Sequence, residues 1–359
     1  MRKIRLNLGL RSYPIIVGNR ILPVLGKYLQ QLGVGDDAYV ITNAWLKKRY
    51  GRHLTQALKR YSRSIKFEVI PDTEKSKSME RAQIILKNIA RYDKKKSIFI
   101  LAFGGGVVGD VSGFVSAIYK RGIPYVQVPT TFLAQVDSAI GGKTAVDLPE
   151  GKNLIGAFYQ PRLVFSDVSL LNSLDLRQLR SGLAEAVKYG LISDKKLFTY
   201  LESNYMNILS LKPANLEYIV ERSSAIKAKF VARDERDEKG VRALLNLGHT
   251  IGHALEAASG YERYTHGEAV ALGISAAAKI SRKMQLIDSN KYRRIEALLL
   301  NMGLPVTIKN ISIPSIIKAH YRDKKFIAGH NRLILLKDIG KAALFEDIPL
   351  RTITEALKK

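Results

Sequence analysis

The sequence predicts an α/β protein: a doubly wound parallel sheet in the first half of the chain and a mainly helical second half. Three observations predict it. Short β-rich runs alternate with stretches of helical periodicity up to about residue 172. Several of those runs are almost continuously apolar, as strands buried on both faces are. Beyond that point Leu, Ala and Lys dominate and β-rich runs become rare.

In chain order, Met1-Arg-Lys-Ile-Arg-Leu alternates as a strand does and does not open a signal peptide. Ala38-Tyr-Val-Ile-Thr42, Ile65-Lys-Phe-Glu-Val-Ile70, Ser97-Ile-Phe-Ile-Leu-Ala102, Pro124-Tyr-Val-Gln-Val128 and Leu163-Val-Phe-Ser-Asp167 read as further strands. Between the second and third of these, Ser78 to Tyr92 places Ala82, Ile85, Leu86 and Ile89 at helical spacing, which makes βαβ units. In the second half, Arg332-Leu-Ile-Leu-Leu336 is a late strand in an otherwise helical texture. The change of texture near Leu171-Asn-Ser-Leu-Asp175 divides the chain into 1–174 and 175–359. At 359 residues the chain fits two domains, each able to bury an apolar interior.

Hydrophobic residues make up 46% and charged residues 25%, as in a globular protein. No run of about eighteen apolar residues occurs, so no membrane span is expected and the reading is cytoplasmic. With no cysteine, disulfides and thiolate ligands are excluded, and any metal must be held by nitrogen and oxygen. The 58 Lys and Arg against 32 Asp and Glu give a net charge of +26, a field that attracts anions of every kind. The cations are scattered, with local clusters at 47–49, 94–96 and 324–325, and no nucleic-acid-binding motif accompanies them, so no dedicated nucleic-acid partner is expected.

Phe103-Gly-Gly-Gly-Val-Val-Gly-Asp110 joins a strand to an apolar helical stretch. Glycines there let backbone approach a pyrophosphate at a helix N-terminus, although the spacing is not the usual GxGxxG of dinucleotide folds. Pro129-Thr-Thr131 follows the next strand and brings hydroxyls to the same sheet edge, where ligands of open sheets gather; either threonine would also serve as a helix cap. Gly141-Gly-Lys-Thr144 resembles the end of a P-loop, but Asp137 stands where that motif requires glycine, so nucleotide hydrolysis is rejected. Lys143, and Lys152 in Gly151-Lys-Asn-Leu-Ile-Gly156, then read as an anion-binding pair on glycine-flexed loops.

Three of the six histidines, His249, His253 and His266, fall within eighteen residues. Neutral imidazoles with one carboxylate make the three-ligand set of a catalytic zinc and leave a position open. His249 and His253 are at i and i+4, so spacing alone predicts that both bind metal. Thr250 replaces the glutamate that a metalloprotease would need, which argues against peptide hydrolysis. Arg242 and Asn246 precede at four-residue spacing and would share the histidine face as an anion or hydroxyl site.

Taken together, the blocks at 104–110, 121–122, 135–144, 151–161, 182–191, 242–256 and 266–270 resemble the 3-dehydroquinate synthase family of sugar phosphate cyclases, with the resemblance running from about Pro71 to Gly340. It implies a Rossmann-like NAD-binding domain over 1–174, a helical metal- and substrate-binding domain over 175–359, and an active site in the cleft between them. It also implies zinc, or cobalt, on Glu185, His249 and His266, which makes His253 an acid/base residue and not a ligand. NAD would contact Asp72, Thr73, Glu74, Lys75, Ser76 and Lys77; Gly106, Val107, Val108, Gly109 and Asp110; Thr130 and Thr131; Lys143 and Lys152; and Leu170, Leu171, Asn172 and Ser173. Substrate would meet Asp137, Lys143, Asn153, Lys188, Lys227, Arg242, Asn246 and His253, with Lys324 from Asp323-Lys-Lys325. Arg121 would act across a homodimer interface, and Glu238 would be a proton acceptor.

The implied reaction takes 3-deoxy-D-arabino-heptulosonate 7-phosphate through transient oxidation, phosphate elimination, reduction and intramolecular aldol closure, with NAD recycled. The alternatives are a cyclase for another sugar phosphate, or a metal-dependent polyol dehydrogenase of the same plan. One block departs from the family: its NAD loop commonly reads Asp-Gly-Glu-x-Tyr-Lys, whereas this chain has Asp72-Thr-Glu-Lys-Ser-Lys77.

Overall fold

The computed structural model describes residues 1–260, 263–322 and 331–358. They form two compact units, Met1–Leu174 with Leu216–Arg236, and Asp175–Asn215 with Asp237–Lys359.

The first unit is built on a seven-stranded sheet. Its strands are β1 (Arg2–Leu6), β2 (Tyr13–Gly18), β3 (Asp37–Thr42), β4 (Ser64–Val69), β5 (Ile98–Gly104), β6 (Tyr125–Pro129) and, after a hairpin of β7 (Lys143–Leu148) and β8 (Gly151–Phe158), β9 (Leu163–Asp167). The order is β1-β2-β9-β6-β5-β3-β4, antiparallel only between β1 and β2. Helices α1 (Leu25–Leu32), α2 (Ala44–Leu58), α3 (Met79–Tyr92) and α4 (Gly106–Ile118) connect the strands.

The continuous apolar runs now have a physical account. Along β3 and β5, alternate side chains enter two separate cores: Ala38, Val40, Phe99, Leu101 and Phe103 enter one, and Tyr39, Ile41, Ile98, Ile100 and Ala102 the other. A strand with an apolar core on each face has no polar alternation to show. The hairpin was not expected. Lys143 opens β7 and Lys152 lies in β8, so the reading of that segment as glycine-flexed loops is corrected: the two strands pair antiparallel from Lys143 opposite Phe158 to Leu148 opposite Gly151. Its half-exposed residues carry little of the apolar patterning that marks a strand.

The second unit contains α5 (Leu176–Ser193), α6 (Lys195–Leu209), and, beyond α7 (Pro213–Arg233), α8 (His249–Ala258), α9 (His266–Lys283), α10 (Ser289–Asn301), α11 (Ile313–Arg322), β10 (Arg332–Asp338), β11 (Lys341–Glu346) and α12 (Leu350–Leu357). The expected late strand is β10, paired with β11. The sequence division at 174 coincides with the place where the first unit's main segment ends, but most of α7 belongs to the first unit. Polar bonds hold it there: Ser224 donates to the Gln135 carbonyl at 3.4 Å, and Arg11 grips Glu235, just past the helix, at 3.0 and 2.7 Å.

Candidate active site

In the second unit, α5, α8 and α9 bring one carboxylate and the histidines together. Glu185 of α5 is fully buried, and one turn further on Lys188, also buried, forms an ion pair with it. Such close helix approach requires missing side chains. A Cβ on Gly273 of α9 would overlap the carbonyl oxygen of Gly248, which precedes α8, and one on Gly267 would collide with the backbone of Ser181 in α5.

His266 is the first residue of α9, and a capping box fixes it. The Thr265 hydroxyl accepts from the Glu268 N–H at 3.3 Å, and Glu268 accepts from the Thr265 N–H at 2.8 Å, an arrangement worth about 1 kcal/mol. Arg177 of α5 holds the same carboxylate at 2.8 and 2.7 Å. The entry of α9 is thereby tied to α5.

The rings converge. His249 Nδ1 lies 3.2 Å from the Leu247 carbonyl; donating there leaves Nε2 as the lone-pair atom. His249 Nε2 and His266 Nε2 stand 3.4 and 3.3 Å from Glu185 Oε1, and ligand atoms of the three residues all lie within 4.8 Å of one another. His266 Nδ1 faces Glu256 Oε1 at 3.5 Å. Burial drives the His249 imidazole well below its ordinary value and keeps it neutral. Burial also pulls on His266, but hydrogen bonds and charges from Glu185 and Glu256 together outweigh it and push the ring up to about 10. Two imidazole nitrogens and a carboxylate oxygen, with a second carboxylate behind one ring, are the donor chemistry of a catalytic zinc or cobalt site.

His253, exposed one turn along α8, has its ring centroid 5.4 Å from that of His249, but its ligand atom groups with Glu256 and His266 and not with Glu185. Spacing alone predicts that His249 and His253 both bind metal; Glu185 meets α8 at its first residue, so His249 and not His253 groups with it. Arg242 and Asn246 do not share the helical face of the histidines either. They lie in a separate 3-10 turn, Val241–Asn246, which Leu247 and the left-handed Gly248 (φ 78°) part from α8. Arg242 is buried, and Glu238 is exposed ahead of that turn.

In the first unit, β5 runs into α4 through the glycine turn. Asn43, Ser78 and Asp175 cap α2, α3 and α5 with their side chains, whereas Gly105 before α4 caps nothing, so the first N–H groups of α4 remain for a ligand. The Thr130 N–H donates to the Gly104 carbonyl at 3.0 Å, and the Thr131 hydroxyl accepts from the Ala134 N–H at 3.2 Å as a cap. Lys77, 6% exposed, ties three elements together: its ammonium donates to Asp110 of α4 at 2.8 Å and to Asn153 of β8 at 2.5 Å, in a loop where Glu74 also meets Lys152 at 3.6 Å. Burial works against the charge of Lys77, yet Asp110 and Glu74 hold its pKa above the ordinary lysine value. The loop's departure from the family pattern is accommodated locally. The Ser76 hydroxyl donates to the Pro71 carbonyl at 2.7 Å and closes the turn, with Thr73 exposed.

Asp137 lies in a π-helical turn, Ala134–Ser138, and accepts from Lys227. Leu170 and Leu171 send their side chains into the core, so they offer a ligand only backbone, while Asn172 is exposed. Lys143 is exposed, its ammonium 6.0 Å from the Phe158 ring. Exposed Arg121 stands between Lys120 and Gly122, and all three have positive φ (50°, 64° and 123°), a strained turn of the kind that persists where function requires it. Lys324 lies outside the described residues.

Sequence reasoning missed a cavity of about 620 Å³ at the carboxyl ends of β3 and β4, lined by Asn43, Ala44, Trp45, Val69, Ile70, Pro71, Asp72 and Arg81. Asn43 caps α2 and donates to Asp72 at 2.8 Å. An asparagine directly after a buried strand was the available signal. Glu256 was missed as well, because nothing in its spacing marks it as the partner of His266.

Comparison with known proteins gives a consistent result. A model described as 3-dehydroquinate synthase N-terminal matches residues 67–181, and one described as 3-dehydroquinate synthase C-terminal matches residues 182–326. A 3-dehydroquinate synthase of Thermoanaerobacter pseudethanolicus is 44% identical over 94% of this chain and 95% of its own. One of Desulforamulus reducens is 41% identical over 100% of both. Among solved structures, 2-deoxy-scyllo-inosose synthase complexed with carbaglucose-6-phosphate, NAD+ and Co2+ superposes with a TM-score of 0.90 at 27% identity over 99% of both chains. The 2-epi-5-epi-valiolone synthase of Streptomyces hygroscopicus subsp. jinggangensis, with NAD+ and Zn2+ bound, does so with a TM-score of 0.87 at 26% identity, covering 99% of this chain and 98% of the other.

Proposed function

The chain belongs to the 3-dehydroquinate synthase family, and from that membership we propose that it converts 3-deoxy-D-arabino-heptulosonate 7-phosphate into 3-dehydroquinate and phosphate, using NAD and a divalent metal, zinc or cobalt. The observation that carries the reading is the convergence of His249 Nε2 and His266 Nε2 on Glu185 Oε1 in a chain so similar to these synthases over its whole length. When bound, the metal supplies Lewis acidity at substrate hydroxyls and NAD supplies a transient hydride acceptor.

The chain's own residues supply the rest. Glu185, His249 and His266 would hold the metal, Lys188 pairs with Glu185, and Glu256 orients His266. Arg242 and Lys227, both buried cations, grip the substrate carboxylate, with Asn246 and Asp137 on its hydroxyls. Lys143, Asn153 and His253 orient the phosphate that leaves, which serves as its own base. Glu238 acts as proton acceptor, and Lys324 adds a substrate contact. For the dinucleotide, the uncapped start of α4 at Gly106–Asp110 receives the pyrophosphate. The 72–77 loop, Thr130, Thr131, Lys152 and the backbone of 170–173 complete that site.

Arg121 acts in the active site of the partner in a homodimer; its strained, exposed turn supports this. The protein works in the cytoplasm; no helix among the described residues is long and apolar enough to cross a membrane. The test is phosphate release from 3-deoxy-D-arabino-heptulosonate 7-phosphate with NAD far below substrate. Turnover beyond the NAD supplied, lost to a chelator and restored by zinc, is expected. No release by metal-loaded protein sends the assignment to another sugar phosphate or a polyol.

A further inference from the structure

The turn that presents Arg121 is held from outside itself. Lys120 and Arg121 both adopt left-handed backbone (φ 50° and 64°), where a Cβ crowds the chain, and Gly122 follows at φ 123°. Two consecutive residues with side chains stay there only if their surroundings fix them. On one side stands Asp93, which directly follows α3 and exposes 2% of its side chain. Its Oδ2 accepts from the Tyr119 hydroxyl at 2.8 Å and forms an ion pair with the Lys120 ammonium. Burial and the Asp93 carboxylate push the Tyr119 hydroxyl up to about 12, which keeps it a donor. On the other side, the Tyr159 hydroxyl donates to the Ile123 carbonyl at 2.8 Å, and its ring stacks on Tyr125 of β6 with centroids 5.7 Å apart.

Each of these bonds is made by a neighbour of Arg121, whose own side chain is exposed. A carboxylate is costly to bury, and Asp93 is out of water while 61% of the Lys120 side chain is in it. Such a pair is a poor source of stability, but it fixes the two residues ahead of the arginine. We propose that Asp93 is a positioning residue for Arg121: by holding Tyr119 and Lys120 it keeps the left-handed turn, and so sets the direction of the Arg121 side chain. A guanidinium that must meet an anionic substrate is sensitive to such support, because a displacement of about 1 Å costs on the order of 100-fold in rate. The inference rests on the reading that Arg121 serves the partner's active site, and adds the group that holds it in place.

Subunit mixing tests it with the full-length, metal-loaded protein. Asp93→Ala is expected to lower turnover by about 100-fold, and Asp93→Asn, which keeps an acceptor for the Tyr119 hydroxyl, by less. In the Arg121→Ala background, with residual turnover read at high enzyme concentration, Asp93→Ala is expected to cost nothing further, whereas damage to the fold would lower that rate too. Mixed with His253→Ala subunits, Asp93→Ala should regain about a quarter of normal turnover, because each mixed dimer has one site with an intact His253 and an intact Arg121 turn opposite it. Mixed with Arg121→Ala subunits it should regain nothing, since neither subunit then delivers a placed arginine. Tyr119→Phe, which removes one bond and keeps the ring, should repeat the pattern in weaker form and serves if Asp93→Ala does not fold. Equal losses with and without Arg121 would overturn the role of Asp93, as would no recovery with His253→Ala subunits where Arg121→Ala does recover with them. Failure of Arg121→Ala itself to recover would instead remove the partner-site reading, and the paired-variant comparison then decides the role of Asp93 within one subunit.

Discussion

Lys227 bonds Asp137 twice: its ammonium donates to the carboxylate at 2.7 Å and to the backbone carbonyl of the same residue at 2.8 Å. With 8% of its side chain exposed, the lysine is anchored across ninety residues of sequence to a π-helical turn. Lys227→Met should therefore cost about 2–4 kcal/mol, as loss of one partner from a largely buried pair does, and should abolish turnover. Pairing it with Asp137→Asn should recover most of the thermal midpoint but none of the activity. Thermal unfolding and phosphate-release assays on the single and the double variant check this.

Metal loading should release protons. In the metal-free protein at pH 7, His249 is neutral and His266, pushed up to about 10, carries a proton that the incoming ion must displace. Affinity should thus fall about tenfold for each unit that pH drops between 8 and 6, as the competing proton becomes more abundant. Calorimetric titration with zinc in buffers of different ionisation heat should give about one proton released per site.

Glu256 faces the site from behind His266, its Oε1 3.5 Å from that ring's Nδ1. Glu256→Gln should lower zinc affinity by about 10- to 100-fold, the usual cost of losing a carboxylate behind a ligating ring, with stoichiometry still reaching one at high zinc. His266→Ala should leave no stoichiometric metal at all. Metal content after dialysis against a graded chelator separates the two.

Gly273→Ala is a test of packing. The added methyl meets the Gly248 carbonyl, a backbone atom that no side-chain rotation can move. About 3 kcal/mol of stability should be lost, at the top of the range for overpacking, and zinc with it, since His249 follows Gly248 directly. Unfolding midpoints and metal content measure both losses.

Arg121 can be tested by complementation. Arg121→Ala and His253→Ala should each be inactive, yet subunits mixed and reassembled should regain about a quarter of normal turnover, because half the dimers then carry one complete site. Mixtures as inactive as their parents would place Arg121 in its own subunit's chemistry.

The sheet was legible because β3 and β5 are buried on both faces and read as unbroken apolar runs, whereas β7 and β8 were hidden by exposure and by their lysines and glycines. Glu185, His249 and His266 were recognisable from motif blocks, since Lys188 and Glu185 share one turn and the histidines open two helices. Spacing alone could not separate His253 from His249, because i and i+4 positions on one helix say nothing about where Glu185 arrives. Helical periodicity likewise reports an apolar face but not which unit covers it, so the membership of α7 was not readable. Glu256 carries no motif; only its three-dimensional neighbours give it meaning.

The chain leaves the first unit at Leu174 and returns to it at Leu216. During synthesis, then, the amino-terminal unit cannot finish folding when its sheet has emerged; it must wait for residue 236 of 359 to clear the ribosome. By that time α5 and α6 have already been made, so the order of translation and the order of domain completion are offset. A truncation after residue 174 would leave the sheet without the helix whose Ser224 and Lys227 bond the turn at Gln135 and Asp137.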